Sequence, residues 1–169
     1  MGGELNAISH LLKFSLRYNN QKQIYRVVMS ANKTQATAAD VSAYLATKAS
    51  AAQYDDCQVI SAMMTEITGE PAVMWGPSIV GFGRYQYTYE SGRSGESCLT
   101  GFAVRGREIV LYLVAEAPAQ QELLSDLGRH RIGKACLYLK SLADIKQPVL
   151  RELIQGSVQA IKLRYPEKT

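Results

Sequence analysis

Along this chain the spacing of apolar residues changes twice, from helical to alternating and back to helical. Thr37 and Asp40 have the spacing of a capping box, and Val41, Tyr44 and Leu45 form an apolar stripe behind them, which predicts a first helix. Asp55 or Asp56 can cap a second helix, in which Val59, Ile60, Met63, Met64 and Ile67 share one face and Gly69 followed by Pro71 supplies the stop. The pattern therefore places two helices ahead of any strand. Beyond Pro71 the period falls to two, and residues 78–82, 85–89, 98–104 and 108–114 read as short strands. The turns between them, Ser91-Gly92-Arg93-Ser94-Gly95 and Arg105-Gly106-Arg107, are too short for a parallel crossover, so neighbouring strands are expected to be antiparallel.

Residues 121–127 suit a short helix and 135–139 a fifth strand. A closing helix over 148–163 follows from Pro148 in its first turn and from Leu150, Leu153, Ile154, Val158 and Ile161 at helical spacing. The predicted architecture is α+β, an antiparallel sheet of about five strands with N-terminal and C-terminal helices packed on it. Ahead of it, Leu5, Ile8, Leu11 and Leu12 have amphipathic spacing and lead into a polar run from Tyr18 to Gln23. Residues 1–36 thus read as a leader or peripheral segment, 37–164 as one domain and 165–169 as a tail. Met29 opens a segment that itself reads as a natural start.

Composition narrows the class. At 47% apolar and 20% charged residues, the 169-residue chain can bury a core without crosslinks or metals. No run approaches the roughly 18 apolar residues of a membrane span, and no secretory pattern opens the chain, so the expected location is the cytoplasm. Cys57, Cys98 and Cys136 are odd in number and without CxxC spacing, which predicts reduced, mostly buried thiols. The formal charge is +4, but Lys13, Arg17, Lys22 and Arg26 against Glu4 put +3 of it into residues 1–28. The nearly neutral remainder offers no electrostatic footprint for nucleic acid.

Four groups of residues carry candidate chemistry. Gly128-Arg129-His130-Arg131-Ile132-Gly133-Lys134 fits the GxxxxGK core of a phosphate loop. A helical segment leads in and a β-like one leads out, the reverse of a working P-loop, and Ala135 follows where a hydroxyl would hold magnesium. A solvated turn, or an anion contact through Arg129, His130, Arg131 and Lys134, is the expectation instead. Tyr85, Tyr87 and Tyr89 alternate, so a regular strand puts all three on one face, with the sole Trp, Trp75, upstream. Such a stripe either packs as core or lines a ligand wall. Asp55, Asp56, Glu66 and Glu70 could face a hard cation, although capping and solvation explain the same residues. His130 is the one histidine outside the leader and so the sole imidazole available to catalysis.

The spaced segments Gly69-Glu70-Pro71, Met74-Trp75-Gly76-Pro77-Ser78-Ile79-Val80-Gly81-Phe82-Gly83, Tyr85-Gln86-Tyr87, Ser91-Gly92-Arg93, Gly101-Phe102, Leu111-Tyr112, Leu127-Gly128, Gly133-Lys134 and Cys136-Leu137-Tyr138 resemble the YdhG-like domain family of small bacterial proteins. The resemblance covers about residues 37–160. It implies a compact α+β domain in a family largely of unknown function, one branch of which has been described as a frataxin-like iron chaperone for iron–sulfur and haem assembly. The chain departs from the family pattern where Gln86 replaces a frequent His, Ser97 a common Trp and Lys146 an Asp before the last helix. Those losses, and the absence of an acidic run, weigh against iron.

The leading expectation is a non-enzymatic binding domain for an anionic small molecule. Trp75, Tyr85, Tyr87 and Tyr89 would form one wall, and Arg93, Arg129 and Lys134 would attract the anion. No cofactor is expected. The alternatives are an iron chaperone using Asp55, Asp56, Glu66 and Glu70, and an enzyme using His130.

Overall fold

The computed structural model describes residues 34–88, 90–133 and 135–166. From Thr34 onward the chain forms one contact unit, while the Leu5–Leu12 stripe and the Met29 start lie outside the described residues. Ala36 and Thr37 form strand β1 (Ala36–Thr37), paired with Trp75 and Met74. A strand therefore precedes the helices, against the expected order. Thr37 does not cap, because its hydroxyl donates to the Met74 carbonyl at 3.3 Å. Asp40 is the N-cap of α1 (Val41–Lys48) and accepts from the Ser42 and Ala43 amides.

Helix α2 (Ala51–Thr68) is capped at Ser50, five residues before Asp55 and six before Asp56. Ser50 caps it in a reciprocal box with Gln53, and Gly69 ends it in the left-handed conformation at φ 74. The Ser50–Gln53 box satisfies two orphan donors at once, which a lone aspartate cap at 55 or 56 would not.

Strands β2 (Val73–Trp75), β3 (Ile79–Phe82), β6 (Thr100–Arg105), β7 (Glu108–Tyr112), β8 (Arg131–Ile132) and β9 (Cys136–Leu139) join β1 in an antiparallel sheet of order β1-β2-β3-β6-β7-β9-β8. Strands β4 (Tyr85–Thr88) and β5 (Ser94–Ser97) form a separate two-stranded ribbon between β3 and β6. The sheet content exceeds the expected five strands because β1, β2, β5 and β8 are two to four residues long, too short to show alternation. The 91–95 turn joins β4 to β5 rather than to the strand at 100, whereas Arg105-Gly106-Arg107 joins β6 to β7 as expected.

Helix α3 (Pro118–Asp126) and β8 fill the connection from β7 to β9, and a 3-10 turn (Leu142–Asp144) leads from β9 into α4 (Gln147–Arg164). Helices α2 and α4 cover one face of the sheet. Cys57, Ile60, Met64, Leu150, Leu153 and Ile154 pack there on Val80, Phe82, Phe102, Ile109, Leu111 and Leu137. Apolar burial at about 25 cal/mol per Å2 makes this the main stabilising layer. On the opposite face Trp75 folds over Gly81, where an added Cβ would lie 2.4 Å from the indole. The architecture is α+β with helices on an antiparallel sheet.

Candidate functional site

The aromatic wall expected from the sequence is not assembled. Trp75 is 2% exposed and borders a recess of only about 20 Å3, far below the roughly 300 Å3 at which small-molecule pockets begin. Tyr85 and Tyr87 do share a face of the β4–β5 ribbon, with ring centroids 6.1 Å apart. Tyr85, however, stacks on Tyr165 at 5.0 Å and packs against the core rather than opening to a ligand. Arg93 immediately precedes β5 of the same ribbon. Tyr89 and Lys134 lie outside the described residues.

Arg129 stands two residues before β8, at the sheet edge far from Trp75 on β2. Five ladder steps separate these strands, which at about 4.8 Å each is roughly 24 Å. No single small ligand can touch both. The 128–134 loop is also no phosphate loop: α3 leads in, β8 and β9 follow, and Gly128 is spent on close packing against the Asp144 carbonyl, with φ 112.

His130 places Nδ1 2.9 Å from the Gly128 carbonyl oxygen, its one side-chain hydrogen bond among the described residues. Neighbouring Arg131 is committed to Glu108 at 2.9 Å and lies 3.6 Å over the Tyr138 ring. Among the described residues no hydrogen bond joins the imidazole to a carboxylate, hydroxyl or thiol. The four carboxylates are equally dispersed. Glu66 pairs with Arg151 at 2.8 Å, and an oxygen of Asp56 accepts from the Leu142 amide at 3.0 Å. Ten residues of helix, about 15 Å, separate Asp56 from Glu66. Among the described residues no three His, Cys, Asp or Glu converge on a point where a metal ion could sit.

A different place has the shape of a site. A cavity of about 430 Å3 opens between the end of α1, the start of α2, the β6–β7 turn and the segment after β9. Its size falls within the range of small-molecule pockets. Two side chains of α2, three residues apart, build it. Gln53, 8% exposed, accepts from the Ser50 amide through Oε1 and donates from Nε2 to the Gly106 carbonyl at 3.1 Å. One turn on, Asp56 holds the Leu142 amide. The helix thereby pins both turns that form the opposite walls.

Each wall brings a cation: Lys48 from α1, Arg107 from the β6–β7 turn, and Lys140 from the end of β9. None of the three closes an ion pair among the described residues, although five other basic side chains do. Against one carboxylate, Asp56, the lining carries +2. In the sequence Arg105-Gly106-Arg107 reads only as a turn and Lys48 and Lys140 carry no local signal, because Lys48, Arg107 and Lys140 are 33 to 92 positions apart and meet only through the fold.

No protein-family model, no curated protein and no solved structure matches this chain. Among the described residues, no helix is long and apolar enough to cross a membrane.

Proposed function

We propose that this is a non-enzymatic, cytoplasmic binding domain for a small anionic molecule, and that its site is the cavity lined by Lys48, Ser50, Gln53, Asp56, Arg107 and Lys140. The observation that carries the reading is that three exposed cations from separate segments, Lys48, Arg107 and Lys140, line one cavity and close no ion pair among the described residues. Converging positive charge in a concave site raises the local concentration of anions and lengthens their stay. Three free thiols suit a reducing compartment. The reading departs from the aromatic wall in location, not in the chemistry of the ligand.

Kinship with YdhG-like domains is part of the same proposal, with its glycine and aromatic motifs serving the fold. Gly69, Gly76, Gly83 and Gly128 adopt positive φ, and Trp75 and Phe82 are core. None of those motif residues lines the cavity.

A thermal-shift panel of phosphorylated metabolites, nucleotides, dicarboxylates and ferrous iron tests the reading on the full chain. A ligand at a hundred times its Kd adds about 2.7 kcal/mol and raises the melting temperature by several degrees. Stabilisation by an anion should vanish in Arg107→Glu and Lys140→Glu and persist in Arg129→Ala. Anion stabilisation lost in Arg129→Ala would return the site to the 128–134 loop. Stabilisation by iron alone would transfer the function to a metal.

A further inference from the structure

Three positive charges and one negative charge line the 430 Å3 cavity, yet Asp56 closes no ion pair within 4 Å with Lys48, Arg107 or Lys140 among the described residues. A site for a bare anion gains nothing from a carboxylate, which repels the ligand and competes for its cations. The carboxylate is also held in place, since Oδ2 accepts from the Leu142 amide and the side chain rises from the interior of an 18-residue helix. Its other oxygen remains an acceptor. A lining with three cations and one fixed acceptor fits a molecule that carries both a doubly charged head and a hydrogen-bond donor.

We propose that the ligand is a hydroxylated phosphomonoester, with its phosphate among Lys48, Arg107 and Lys140 and a hydroxyl donating to Asp56. This rests on the cavity being the anion site. A phosphomonoester carries about −1.5 to −2 charge at neutral pH and three acceptor oxygens, one for each cation, and so matches a lining of net +2. A monocarboxylate offers two oxygens and half the charge. The Ser50 and Ser141 hydroxyls on the rim add neutral partners for the remaining oxygens or for the ligand's own hydroxyls. A site built to accept from a hydroxyl discriminates strongly against an analogue without one, because the acceptor is then left without its partner.

The test is a calorimetric comparison of glycerol 3-phosphate with propyl phosphate, which has the same chain and phosphate but no hydroxyl, and with succinate. The full-length protein should bind glycerol 3-phosphate at least about tenfold more tightly than propyl phosphate, the ratio one hydrogen bond to a charged group supplies. In Asp56→Asn, whose side-chain oxygen can still accept from the Leu142 amide, propyl phosphate should bind as well as or better than before and the preference should shrink to within about threefold. Equal affinity for the two phosphates in the unaltered protein would overturn the hydroxyl assignment and leave the anion site standing. Tighter binding of succinate would overturn the phosphate assignment. Absence of heat with every probe would overturn both this inference and the reading it rests on.

Discussion

Tyr44 lies on α1, yet its hydroxyl completes part of the sheet. It donates to the Ser78 carbonyl at 2.8 Å and accepts from the Val104 amide at 3.3 Å, bridging β6 to the residue before β3, just beyond the last β3–β6 pair. Removing the oxygen leaves a half-buried donor and acceptor without each other or water. Tyr44→Phe should therefore cost about 1–3 kcal/mol, far more than a surface substitution, and urea unfolding would show it as a lower midpoint at unchanged slope. An unchanged midpoint would mean that water replaces the hydroxyl. The stripe of Val41, Tyr44 and Leu45 was legible in the sequence, but this use of the tyrosine was not, because Ser78 and Val104 lie 34 and 60 residues away. Helix starts failed for a related reason. Asp55 and Asp56 look like caps, but Asp56 is occupied with Leu142, 86 residues on, while Ser50 and Gln53 cap each other.

Among the elements, the long amphipathic ones were readable and the short ones were not. Closing helix α4 (Gln147–Arg164) lies within one residue of the expected 148–163, since an 18-residue segment repeats its pattern five times. Two-residue strands such as β1 and β8 have no pattern and exist only because β2 and β9 offer them a partner. At the centre of the sheet, β3 and β6 approach so closely at Gly81 and Gly101 that a Cβ on Gly101 would lie 2.6 Å from the Val80 carbonyl oxygen. The obstacle is backbone, which cannot swing aside as a side chain would. Gly101→Ala should destabilise by at least about 1–3 kcal/mol, the usual cost of overpacking, and calorimetric melting would register it. In contrast, Gly106→Ala meets nothing within 4 Å and is limited to the strain of its positive φ of 59. Equal losses at the two positions would contradict the close-approach argument.

At the scale of the whole molecule, burial of weak acids sets the alkaline limit of stability. Burial, with a smaller push from the Asp56 charge, drives the Cys57 thiol up to about 12, and burial drives Cys98 up to about 11. Burial also raises the Tyr44 and Tyr85 hydroxyls above their ordinary value. All four stay protonated longer in the fold than in the unfolded chain. Below the ordinary thiol value of 9.0 both states hold the proton and nothing is lost. Above it the unfolded chain releases protons that the fold retains, so stability falls as pH rises from about 9 towards 12. Urea midpoints should decline across that range, and the decline should be shallower in Cys57→Ala; a flat profile would contradict the burial of these groups.

The cavity belongs to this scale too, because Lys48, Arg107 and Lys140 become neighbours only when α1, the β6–β7 turn and the end of β9 are all in place. From sequence the expected anion was attached to residues that stand out locally, Trp75, the tyrosines and the basic loop, whereas the fold puts Trp75 on β2, Tyr85 and Tyr87 on the separate ribbon, and Arg129 beside β8 at the far edge of the sheet. The most direct test is an amide NMR titration of the full chain with glycerol 3-phosphate. The account predicts saturable shifts centred on Ser50 to Gln53, Gly106 and Arg107, and Lys140 to Leu142, with the amides of Arg129, His130 and Arg131 and of Tyr85 and Tyr87 unmoved. Saturable shifts at Arg129 to Arg131 or along the tyrosine ribbon, with the cavity silent, would contradict it.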